Sequence, residues 1–139
     1  MNNDEELSKY MILMEQYKEQ INQLELQYQY LNAALNEYQK AKLTIDKLEK
    51  TKNQTDSLIP IGGGVYLNAV IKDTSNVLFD IGAGIISKKK INDAITKIDE
   101  RIENINKNME KVNSMLQQFQ KEVEEIRNKA QQLSSEESE

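Results

Sequence analysis

The 139-residue chain contains no cysteine and no histidine. The first absence excludes a disulfide framework or a thiolate metal site, and the second removes the commonest general base and metal ligand. A long basic run is also missing, and the net charge is -5. Phosphate backbones demand clustered Lys and Arg, so nucleic acid is not an expected partner, and acidic partners are disfavoured for the same reason. No stretch is suited to a bilayer. The longest apolar run, Val77 to Ile86, is too short and is broken by Asp80, Gly82 and Gly84. Nothing at the N-terminus reads as a signal peptide, so the expectation is a soluble, cytoplasmic chain that does not engage membranes.

What the chain has is apolar periodicity. One series runs Leu7, Tyr10, Met14, Tyr17, Ile21, Leu24, Tyr28, Leu31, Leu35, Tyr38, then Lys42 and Ile45. A second runs Ile91, Ile95, Ile98, Ile102, Ile105, Met109, Val112, Leu116, Phe119, Val123, Ile126, Ala130 and Leu133. Both keep a 3-4 spacing for about six heptads, the mark of coiled-coil helices. The arms match in length. If the chain reverses between them, Leu7 falls opposite Leu133, Tyr28 near Val112 and Leu48 near Ile91, an antiparallel helical hairpin. Each arm is about 60 Å long at ~1.5 Å per residue. With 38% apolar residues spread along two thin helices, stability must come from this seam and from partners rather than from a compact core.

The middle has a different grammar. Short β-branched and aromatic runs, Leu58 to Ile61, Val65 to Ile71, Val77 to Ile81 and Ile85 to Ser87, are separated by Gly62-Gly63-Gly64, by Lys72 to Asn76 and by Gly82-Ala83-Gly84. That pattern predicts four strands in two hairpins. Several runs are apolar on both faces and four strands alone cannot cover them, so strands from other chains are expected. The fold class is α+β, with a helix over 1–56, hairpins over 57–90, a second helix over 91–133 that is capped around Asn92 and Asp93, and a disordered acidic tail over 134–139. The strand residues expected at an oligomer interface are Ile59, Ile61, Val65, Leu67, Val77, Phe79, Ile81 and Ile85.

Enzyme motifs fail on inspection. Gly62-Gly63-Gly64 lacks the Gly-Lys-Ser/Thr ending and the following helix of a phosphate loop, and Gly82-Ala83-Gly84 reads as a tight turn with positive φ. Lys88-Lys89-Lys90 reads as a solvated junction or a guard on a strand edge. No cofactor, metal site or catalytic group is expected. Met11, Ile12 and Leu13 stand out instead, because with Tyr10 and Met14 they make five consecutive large apolar side chains, whereas a two-helix seam buries only about two of every seven. Two readings remain: they pack on a neighbouring helix, or they form an adaptable patch that grips unfolded chains. Leu26 and Leu43, also off the stripe, read as contacts to a companion arm.

An arm, two hairpins and a returning arm of equal length resemble the α-class subunit of prefoldin, the archaeal and eukaryotic chaperone. The most specific stretch is LIPIGGGVYLNAVIKDTSNVLFDIGAGIISKKK, residues 58 to 90. The resemblance implies an α2β4 hexamer with β-type prefoldin subunits, in which the hairpins complete an intersubunit β-barrel. It also implies ATP-independent holding of non-native client proteins at the coiled-coil tips and their transfer to a group II chaperonin. The tip maps to Leu7, Tyr10, Met11, Leu13, Met14, Ile126, Ala130 and Leu133. A self-assembling, filament-forming γ-type prefoldin and a structural coiled-coil adaptor without chaperone activity are the competing readings. An enzyme ranks last.

Overall fold

The computed structural model of the chain describes residues 2–137. Helix α1 is Asn3–Glu49 and helix α2 is Ile91–Glu137. Between them lie β1 (Thr55–Gly62), β2 (Val65–Ile71), β3 (Asn76–Gly82) and β4 (Ile85–Lys90). All five glycines and the single proline fall in the strand region, leaving both helices free of the residues that break them. Asp4, Glu5 and Glu6 occupy the first turn of α1, and Lys47 its last, each complementing the helix dipole.

Two compact units make up the chain. One takes the residues up to Ala34 and from Ile105 onward; the other is Leu35–Asn104. In the first, Leu24, Val112, Val123 and Ile126 are buried, and the Tyr17 ring meets that of Phe119 at 5.5 Å with a 56° tilt, a favourable aromatic geometry. In the second, Ile45, Ile91, Ala94 and Ile98 are buried with Phe79 of β3, and Tyr38, Leu48 and Ile102 pack around them. The helices pair antiparallel in each unit, as the matching arms predict. The expected stripe positions are buried or half-buried except Tyr28, which keeps 37% of its surface.

Three boundaries depart from expectation. Helix α1 stops at Glu49 instead of running to 56. Lys50 and Thr51 donate their N–H groups to the carbonyls of Lys47 and Leu48, tightening the final turn, and the Thr51 hydroxyl donates to the Lys47 carbonyl at 2.7 Å. Gln54 then takes φ 64°, and its N–H donates to the Ile71 carbonyl, which starts strand pairing earlier than the apolar pattern suggests. Asn53 pins this junction. Its Oδ1 accepts from both the N–H (2.9 Å) and the hydroxyl (2.8 Å) of buried Thr74.

The second departure is at Lys88, Lys89 and Lys90, which are not a junction: they lie in β4 opposite Leu78, Val77 and Asn76. Helix α2 follows at once from Ile91, whose N–H donates to the Ser75 carbonyl, ahead of the cap expected around Asn92 and Asp93. The third is the tail. Residues 134–137 continue α2 where disorder was expected, and residues 138 and 139 lie outside the described residues.

The hairpins are separate two-stranded sheets built on one plan. Each has a register irregularity just before its turn, at Pro60/Gly62 and at Asp80/Gly82, and each closes through a two-residue loop, Gly63-Gly64 or Ala83-Gly84. Both loop residues have positive φ in each case, 60° and 78°, then 51° and 75°, as a primed hairpin turn requires. Ile59 therefore corresponds to Phe79, and Leu67 to Ser87.

Candidate interaction surfaces

The first candidate surface is the hairpin pair. On β1 and β2 the side chains of Leu58, Ile59, Ile61, Val65, Tyr66 and Leu67 are all exposed, although the pleat sends them alternately to opposite faces. A two-stranded hairpin with apolar residues open on both faces and both outer edges unpaired is marginal in water by itself. Of the residues expected at an interface, Ile59, Ile61, Val65, Leu67, Ile81 and Ile85 are open to solvent. Val77 and Phe79 are not. Phe79 retains 9% of its surface and Val77 is half-buried, because the inner face of β3–β4 rests on the chain's own helices. That packing also buries Ala94 completely, a residue off the apolar stripe.

The second candidate surface lies on the first turns of α1. Leu7, Tyr10 and Met14 face the seam and are half-buried, whereas Met11, Ile12 and Leu13 keep 66%, 59% and 41% of their surface. Met11 and Ile12 line a shallow groove with Glu15, Lys18 and Glu19. On α2, Ile126 is buried in the seam, and Ala130 and Leu133 are half-buried. The expected tip set thus divides into seam residues and an outward set on α1. Farther along α1, Leu26 and Tyr30 keep 56% and 77% of their surface and lie one turn apart. Tyr30 escaped the sequence reading although, like Leu26, it is a large apolar residue off the heptad stripe.

Electrostatics near the hairpins is local. Lys42, at an apolar-stripe position, reaches Asp99 at 2.7 Å; the hydrogen bond to that carboxylate, reinforced by its charge, raises the ammonium pKa above the ordinary 10.5. Asp73 accepts the Ser75 N–H at 2.8 Å and the Asn76 side-chain amide at 3.1 Å. Those bonds, with Lys88 nearby, hold its carboxyl below the ordinary 3.8. Among the described residues no helix is long and apolar enough to cross a membrane.

The profile of the Prefoldin family, described as prefoldin subunit, matches residues 17–136. The chain belongs to the prefoldin family. "Prefoldin subunit alpha" of Methanococcus aeolicus is 31% identical over 101 residues, covering 73% of this chain and 68% of the relative. "Prefoldin subunit alpha" of Thermococcus onnurineus is 30% identical over 105 residues, 65% of this chain and 71% of the relative. The fold is similar to that of filamentous PFD from Methanocaldococcus jannaschii, solved by cryo-EM, with TM-score 0.69 and 16% identity over 81% of this chain and 93% of that one. Prefoldin subunits form oligomers with other prefoldin subunits.

Proposed function

We propose that the chain is an α-type subunit of an ATP-independent holdase. It joins β-type prefoldin subunits through its hairpins in an α2β4 hexamer, binds non-native proteins through the outward set on α1, and passes them to a group II chaperonin in the cytoplasm. The observation that carries this reading is the trio Met11, Ile12 and Leu13, three adjacent large apolar side chains left in water after the seam is filled. Flexible Met beside branched aliphatic residues suits a binder that must accept many sequences. Ile126, buried at 7% exposure, supports the helix pair from within, and half-buried Leu7, Tyr10, Met14, Ala130 and Leu133 complete the proposed tip set.

The test is suppression of aggregation of a chemically unfolded client by the assembled complex. Replacing Met11, Ile12 and Leu13 together with Ser is expected to leave the assembled mass unchanged and to weaken client holding at least ~10-fold, from roughly 1 kcal/mol or more lost per buried apolar side chain. Undiminished holding would remove the patch from the site. The filament-forming γ-type reading is separated by mass: that chain forms long polymers alone and ignores a β-type subunit, whereas the α reading expects a discrete hetero-oligomer. A structural adaptor would show no affinity for unrelated unfolded chains.

A further inference from the structure

The two hairpins share a plan but not an anchorage. Phe79 is sunk among Ile45, Ile91, Ala94 and Ile98, whereas its counterpart Ile59 keeps 49% of its surface. Arg101 of α2 closes over the docked hairpin. Its guanidinium carbon lies 4.6 Å from the centre of the Phe79 ring and 5.6 Å from that of Tyr38 on α1, so one planar cation contacts both rings. The same group donates to the Tyr38 hydroxyl at 3.3 Å and to the Asp80 main-chain carbonyl at 3.2 Å. Three elements, α1, α2 and β3, are therefore tied by one side chain at the strand's bulge.

We propose that Arg101 is a latch that sets the direction of β3–β4 on the helix pair. This hairpin meets a partner subunit already oriented, whereas β1–β2 takes up its position only on the partner. The proposal rests on the assembly reading above for its consequence, though not for its geometry. Ring contact and a two-branched donor are both needed, and only a guanidinium supplies them together. A lysine ammonium keeps the charge but cannot lie flat on Phe79 while reaching both oxygens. A preoriented strand edge loses less freedom on association than a swinging one, so the latch acts on assembly as a positioning residue.

Hydrogen–deuterium exchange on the full-length chain reads each hairpin separately, and association with a β-type prefoldin subunit is followed alongside by light scattering. In the wild-type chain the β3–β4 amides are expected to exchange more slowly than those of β1–β2. In Arg101→Ala they accelerate about tenfold, from the loss of two ring contacts and two hydrogen bonds, while β1–β2 exchange stays unchanged. Association weakens by a similar factor, and Arg101→Lys restores neither. Unchanged β3–β4 exchange in Arg101→Ala, equal acceleration of both hairpins, or full rescue by Lys would overturn the latch. If the wild-type chain ignores the β-type subunit, the assembly reading falls instead, and the exchange contrast still decides whether Arg101 holds the hairpin.

Discussion

Single residues at the turns show how much of this fold hangs on backbone chemistry. Ala83 holds φ 51° at a loop position where the first hairpin has Gly63, a conformation that costs an L-residue about 1–2 kcal/mol. Ala83→Gly removes that strain but adds freedom to the unfolded chain, so a net stabilisation of about 0.5 kcal/mol is expected in a thermal melt. Destabilisation would mean that the methyl group makes a compensating contact. Asp73 supplies a pH test. Its folded pKa lies below 3.8 because the carboxylate accepts two hydrogen bonds, so its contribution is present above pH 3.8 and is lost as the pH falls through the folded value. Asp73→Ala is expected to melt lower at neutral pH and to show a shallower decline on acidification below pH 3.8. An acid limb as steep as wild type's would remove Asp73 from the account.

At the level of elements, the helices are held by a narrow seam and the rest of their surface is open. Ile98 keeps only 3% of its surface and touches both the seam and the docked hairpin, so Ile98→Ala should cost about 2–4 kcal/mol in urea unfolding. Leu26→Ala on α1, where the side chain is 56% exposed, should change stability by less than about 0.5 kcal/mol, since both residues favour helix. Similar losses at the two sites would mean that the outer face of α1 is covered in solution. The strands carry their own design. Lys88, Lys89 and Lys90 put three ammonium groups on β4, which discourages indiscriminate pairing at that edge, whereas β2 offers Val65, Tyr66 and Leu67 with no such guard.

For the whole molecule, the proposed function assigns association to the hairpins and client holding to the helices. Tyr66 is 58% exposed on β2, opposite Pro60, and makes no part of the buried cluster. Tyr66→Asp is expected to keep the helical circular-dichroism signal while lowering the mass reached with a β-type subunit, because a charge would enter a surface that becomes dry on assembly. An unchanged mass would show that β1–β2 stays wet in the oligomer. Such a variant separates assembly from client holding, which the Met11, Ile12 and Leu13 substitutions probe from the other side.

The helices and their pairing were legible in the heptads because a 3-4 repeat sustained over six heptads has one efficient way to bury its stripe. The hairpins were legible because glycine clusters between β-branched runs mark turns whose positive φ few other residues tolerate. Counting along the seam implied only that some of Met11, Ile12 and Leu13 stay outside it, and left open whether they pack on a neighbouring helix. What periodicity does not encode is contact between distant segments. Only the tertiary structure decided that Phe79 docks inward while its repeat Ile59 stays in water, that Ala94 is covered, that Asn53 holds Thr74, and that Arg101 bridges Tyr38 and β3. The repeat itself was within reach, in the matching Ile61-Gly62 and Ile81-Gly82. Its unequal use was not, because burial depends on which surface happens to lie opposite, and local sequence carries no record of that.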